Sequence, residues 1–230
     1  MKNYTTLLFD ADMTLFDFEG AEASAFGIVM TGSGIQYTDG DFCRYKKINA
    51  SLWESFGRGE ITKEYLQSQR FTRFLKTLDE KYTEGDGIRL NAAFVEALAD
   101  CSQLFDGAEE LCRKLSGRYE LYIVTNGVSR TQKKRFEGSA IRPYFRDIFV
   151  SEDAGAPKPM KAYFDYVFAH IGEERRGESL IIGDSPSSDI AGGINAGIGT
   201  VWYNPGGTLG DGIRPDYTVR DYTELESLLL

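Results

Sequence analysis

Apolar and polar positions follow two textures along these 230 residues. From Asp106 onward, short apolar runs take turns with segments of helical period. Ala108, Leu111, Cys112 and Leu115 line one helical face, and Gly117 is placed to end that helix. Tyr119–Val124 reads as a strand, Ser129–Phe136 as a helix and Asp147–Ser151 as a short strand. Tyr163, Phe164, Val167, Phe168 and Ile171 share a helical face. Leu180–Ile182 is strand-like, a helix follows from about Ser188, Thr200–Tyr203 is a strand, and Asp221–Leu230 is a closing helix. Tyr4–Phe9, β-branched and apolar, adds a buried strand at the start. Such alternation predicts an α/β fold with a doubly wound parallel sheet covered on both faces.

The stretch from Phe16 to Gln103 has helical periods and no convincing strand. Thr38 is placed to cap a helix containing Phe42, Tyr45 and Trp53. Thr62 can cap one whose buried face holds Tyr65, Leu66, Phe74, Leu75 and Leu78. Phe94, Val95 and Leu98 mark another. Residues 16–103 therefore read as a helical domain inserted into an α/β core made of residues 1–15 and 104–230. An insertion directly after the first strand is expected to act as a lid over the strand end.

Chemistry gathers where strands end. The first strand runs into Asp10-Ala11-Asp12-Met13-Thr14. Two acids two residues apart repel each other unless they hold a cation or share a proton. Val124-Thr125-Asn126-Gly127 ends the second strand with a hydroxyl, an amide and a glycine able to donate to an anion. In Ala156-Pro157-Lys158-Pro159 the flanking prolines restrict the backbone around a lysine that can serve as a point charge for phosphate. In Ile181-Ile182-Gly183-Asp184-Ser185-Pro186-Ser187-Ser188-Asp189, two further carboxylates suit a hard cation with oxygen ligands. Each motif alone has a plainer reading: a strand-ending turn, a solvated lysine, or an acid favoured at a helix start.

Composition narrows the partners. The chain is 42% hydrophobic and 27% charged, with formal net charge −9. That balance argues against a nucleic-acid polymer or an anionic membrane as main partner, but admits a small anionic substrate at a site with its own cations. No apolar run reaches the ~18 residues of a membrane span, and the N-terminus lacks a signal-peptide pattern. Cys43, Cys101 and Cys112 form no CxxC pair, which fits reduced thiols and a cytoplasmic location.

Taken together, Asp10-Ala11-Asp12-Met13-Thr14, Thr125-Asn126, Lys158 and Gly183-Asp184 with Asp189 resemble, in order, the four motifs of the haloacid-dehalogenase superfamily of phosphohydrolases. The resemblance spans nearly the whole chain. It implies a Rossmann-like core with a C1-type helical cap. It further implies Mg2+ held by Asp10, the Asp12 backbone carbonyl and Asp184. Asp10 would be the nucleophile that forms an aspartyl-phosphate, and Asp12 the general acid/base. Thr125, Asn126 and Lys158 would bind the phosphate, with Asp189 pairing Lys158. The superfamily's dehalogenases lack an acid at the position of Asp12, so that residue favours phosphoryl transfer. Phe9-Asp10-Ala11-Asp12 with Thr14-Leu15-Phe16, Ala162–Tyr166 and Ser188–Gly197 look like the pyrimidine 5′-nucleotidase branch, implying a nucleoside 5′-monophosphate as substrate. A sugar-phosphate or phosphoglycolate phosphatase, a phosphosugar mutase and a phospho-aspartate switch domain stay open. Trp53, Phe56, Tyr65, Phe71 and Phe74 could stack on a base and Arg70 could meet its polar edge, yet aromatics at helical spacing read first as core. His170 belongs to a helix end.

Overall fold

The computed structural model describes residues 3–208 and 212–230. The chain divides into two compact units, Met1–Phe18 with Ser102–Leu230, and Glu19–Cys101.

The first unit is built on six parallel strands: β1 (Thr6–Phe9), β2 (Glu120–Thr125), β3 (Phe145–Val150), β4 (Ser179–Gly183), β5 (Gly199–Tyr203) and β6 (Tyr217–Val219). Their spatial order is β3-β2-β1-β4-β5-β6. The chain winds outward from β1 in one direction and then in the other, so the order reverses between β1 and β4. Ligands of open α/β sheets bind beyond the strand C-termini at such a reversal.

Ten helices complete the fold: α1 (Phe18–Gly32), α2 (Asp39–Gly57), α3 (Lys63–Leu78), α4 (Glu84–Ala99), α5 (Ala108–Leu115), α6 (Ser129–Glu137), α7 (Ser151–Ala154), α8 (Lys161–Ile171), α9 (Ala191–Ala196) and α10 (Tyr222–Leu229), counted among the described residues. Side chains alternate across a strand, and β1 uses that alternation to feed two cores. Leu7 and Phe9 pack in one cluster with Leu111, Cys112 and Leu115 of α5 and Leu225 and Leu229 of α10. Leu8 packs in another with Tyr163, Phe164, Val167 and Phe168 of α8. The parallel sheet and its two helical layers accord with the α/β expectation. The sequence pattern overlooked β6 and α7, which are too short to show a period.

The second unit holds α1 from Glu19 onward, with α2, α3 and α4. Thr38, Thr62 and Thr83 cap the last three by accepting from the backbone N–H groups of Asp41, Tyr65 and Asp86. Its centre is aromatic: Phe26, Tyr45, Phe71, Phe74 and Phe94 are wholly buried, with the Tyr45 and Phe71 ring centroids 4.8 Å apart. Phe71 and Phe74 are therefore core, while Tyr65, expected on the buried face, is exposed. Arg70 is buried, donates from Nε to Asn91 Oδ1 at 2.6 Å and lies over the Phe94 ring.

Helices α3 and α4 approach closely at Gly87, where an added Cβ would lie 2.5 Å from the Thr72 backbone nitrogen. Backbone cannot swing aside as a side chain can. Gly87→Ala is expected to destabilise by about 1–3 kcal/mol, read by urea denaturation. Gly57→Ala, where an added Cβ meets nothing within 4 Å, is expected to cost nothing.

Candidate active site

The expected site residues lie at the strand C-termini of the first unit or in the segments that follow them. Asp10 follows β1 directly, and its amide donates to Ile182 O at 2.9 Å. Thr125 is the last residue of β2, Asp184 follows β4, and Lys158 sits between β3 and α8. Asp189 lies in a π-helical turn, Pro186–Ile190. Gly183 makes room for it, since a Cβ there would lie 2.3 Å from Asp189 Cγ.

Lys158 is the hub. Its side chain is 1% exposed, and Nζ donates to Asp10 Oδ1 at 2.5 Å, Asp189 Oδ1 at 2.7 Å and Val124 O at 2.7 Å. All three ammonium hydrogens therefore have an acceptor, as a buried lysine requires. Asn126 fixes the lysine backbone from both sides, Nδ2 donating to Lys158 O and Oδ1 accepting from Lys158 N, each at 2.9 Å. The expected anion donor thus spends its amide on placing the lysine. Thr125 is buried, and its Oγ1 accepts from Gly127 N at 3.1 Å.

Carboxylate oxygens of Asp10, Asp184 and Asp189 lie within 4.8 Å of one another. Asp189 has both oxygens engaged, Oδ1 by Lys158 and Oδ2 by the Ser185 amide at 3.1 Å. Trp202 Nε1 donates to Asp184 O at 2.9 Å, holding that residue's backbone. Three carboxylates against one ammonium leave two negative charges. This donor set fits a divalent cation with oxygen ligands.

The electrostatics carry the same mark. Burial pushes the Asp10 carboxyl well above the ordinary aspartate range; Lys158 opposes this, and Asp189 and Asp184 add to it. Burial presses the Lys158 ammonium toward its neutral form, but Asp10 and Asp189 outweigh burial and hold it above the ordinary lysine range. Burial, with Asp189 next, pushes Asp184 up to about 7. A raised acid binds more protons folded than unfolded, so its presence costs stability as pH climbs from about 4 toward about 7. In chelator the protein should lose on the order of 3 kcal/mol across that window. Added Mg2+ should restore the loss at pH 7.5 and have little effect at pH 5. Urea denaturation at both pH values, with chelator and with Mg2+, checks this.

Asp12 is held by other partners. Its carboxylate Oδ1 accepts from Arg135 Nη1 and its Oδ2 from Gln132 Nε2, each at 2.5 Å. Both donors come from α6, and sequence reasoning missed them. The signal was there: Gln132 and Arg135 fall on one helical face with Phe136, and an arginine on an apolar face needs a partner. The backbone at Asp12 is also set. Met13 adopts φ +62°, its N–H donates to Phe16 O, and Ala11 O accepts from the amides of Leu15 and Phe16.

The family model for haloacid dehalogenase-like hydrolases matches residues 4–197. The chain belongs to the haloacid dehalogenase-like hydrolase family. It is an enzyme, a hydrolase of the phosphatase type. The HAD-hydrolase YfnB of Bacillus subtilis is 44% identical over 100% of this chain and 97% of its own. A crystal structure of YfnB described as bound to magnesium superposes with TM-score 0.93 at 43% identity, covering 99% of each chain. The pyrimidine 5′-nucleotidases YjjG of Escherichia coli and PynA of Streptococcus pneumoniae are 36% and 34% identical. They cover 97% and 96% of this chain and 96% and 93% of their own. The resemblance drawn from the four motifs and the nucleotidase-like segments is thereby borne out at the level of family. Among the described residues no helix is long and apolar enough to cross a membrane.

Proposed function

We propose that this phosphatase is a magnesium-dependent phosphomonoesterase that hydrolyses nucleoside 5′-monophosphates, pyrimidine nucleotides first. The observation that carries the reading is the arrangement around Lys158: a nucleophilic carboxylate, a charge for the phosphoryl oxygens and a set of cation ligands within one buried cluster. The likeness to YjjG and PynA over their whole lengths supports the nucleotide.

Asp10 attacks phosphorus. The bond from its carboxylate oxygen to phosphorus forms, the bond to the leaving oxygen breaks, and Asp12 gives that oxygen its proton. Water then attacks phosphorus, Asp12 takes its proton, and phosphate leaves Asp10. Lys158 and Thr125 hold the phosphoryl oxygens as charge moves among them. Mg2+, held by Asp10, Asp184 and the Asp12 backbone carbonyl, would cancel charge between the substrate and the acids. Asp189 and Asn126 keep Lys158 in place. Residues 16–103 are the cap and choose the leaving group.

The test is phosphate release with Mg2+ from pyrimidine and purine 5′-monophosphates, sugar phosphates and phosphoglycolate. Preference for pyrimidine monophosphates supports the reading. Preference for a sugar phosphate keeps the mechanism and removes the nucleotide; no release from any of them overturns the phosphomonoesterase.

A further inference from the structure

Among the described residues Arg135 is the largest with no exposure at all, and Gln132 is 3% exposed. Burying a guanidinium is costly unless its charge is paired, and its Nη1 finds an acceptor in Asp12, 123 residues earlier. Its guanidinium centre lies 4.8 Å from the Phe16 ring centroid and 5.9 Å from that of Phe18. Those two rings lie against the planar group and restrict its rotation. Gln132 is placed just as tightly. An added Cβ on Gly127 would lie 2.3 Å from Gln132 Nε2 and 2.5 Å from its Cγ, so a side chain at 127 would displace the glutamine.

We propose that Gln132 and Arg135 are positioning residues that fix the Asp12 carboxylate for its proton transfers. One donor on each oxygen removes rotation about the last side-chain bond. The positive-φ turn at Met13 fixes the backbone that carries it. Helix α6 starts four residues after Thr125, so one element registers the acid/base against the turn assigned to phosphate. Both effects are orientational; a proton delivered from a misplaced carboxyl reaches the leaving oxygen more slowly, while substrate binding is untouched. The role rests on the phosphomonoesterase reading above.

A residue that only supports the fold would slow every substrate alike. One that acts through a general acid slows those whose leaving oxygen needs a proton. A nucleoside leaves as an alkoxide and needs the proton; p-nitrophenolate is stable without it. The measurement is first-turnover release of the leaving group from uridine 5′-monophosphate and from p-nitrophenyl phosphate. It is made with the unsubstituted chain, Gln132→Met, Arg135→Lys, Asp12→Asn and the Asp12→Asn/Gln132→Met pair. Gln132→Met is expected to slow nucleoside release about tenfold or more and nitrophenolate release less than about threefold, with KM unchanged. Arg135→Lys, which keeps the charge but loses the planar group beside the Phe16 and Phe18 rings, should show the same selectivity. The pair should be no slower than Asp12→Asn alone, because the glutamine acts only through that acid. Equal losses on both substrates, no loss, or additive losses in the pair overturn the positioning role while leaving the enzyme a phosphatase. No hydrolysis by the unsubstituted chain overturns the phosphomonoesterase reading and this role with it.

Discussion

Asp10→Asn is expected to stop turnover while leaving the fold intact. The amide keeps the size of the carboxylate but has no charge to drive attack on phosphorus. Losing a nucleophile of this kind typically costs on the order of 10⁴- to 10⁶-fold in kcat. The fold should tolerate it. Lys158 retains Asp189 Oδ1 at 2.7 Å and Val124 O at 2.7 Å as acceptors, and a carboxylate that burial makes costly to ionise is gone. The chelated variant should therefore unfold at the same urea concentration as the parent or a higher one. Phosphate release from the preferred substrate gives the first half of the test, and denaturation the second. Activity within tenfold of the parent would remove Asp10 as nucleophile. Lost activity with a destabilised fold would make the residue structural.

The strands were legible because a parallel sheet buries both faces, so Tyr4–Phe9 and Leu180–Ile182 stand out as apolar runs in a charged chain. Legible too were the acids ending β1 and β4, because an apolar strand that stops at a carboxylate needs a physical reason. What each polar group binds was not legible. Asn126 has the chemistry of an anion donor, yet the fold brings the Lys158 backbone to both ends of its amide. Asp12 looked like one half of an acid pair, but its carboxylate is held by side chains 120 and 123 residues later. Those contacts depend on how α6, packed on β3, reaches the turn after β1, which no local period records. Periodicity likewise marks an aromatic as buried or exposed without saying what it meets. Phe71 and Phe74 close a core in the helical unit, while Tyr65 on the same helix is open to solvent. Tertiary packing settles such choices, and spacing alone leaves them open.

Lys158→Met should be the most damaging single change to stability, and pH should reveal why. Methionine matches the lysine stem in length, so it leaves little void. What disappears is the charge at 2.5 Å from Asp10 and 2.7 Å from Asp189. Two carboxylates are left facing each other, with Asp184 beside them, in a site where Asp189 is 1% exposed. Removing one partner of a buried ion pair typically costs about 3–5 kcal/mol, because the remaining charge is uncompensated. The sign of the pH dependence follows from Asp10. Burial already raises its carboxyl, Lys158 is what opposes that rise, and without the lysine the group holds its proton to higher pH. A raised acid is least costly when protonated, so the loss should be largest at pH 8 and smaller at pH 5. Mg2+ should return part of the stability at pH 8 by supplying positive charge to the same oxygens, but not activity, since the phosphoryl oxygens lose the ammonium assigned to them. Urea denaturation of parent and variant at pH 5 and 8, with and without Mg2+, separates these effects. A loss below about 1 kcal/mol, or one that is the same at both pH values, would show that Lys158 does not hold these carboxylates together.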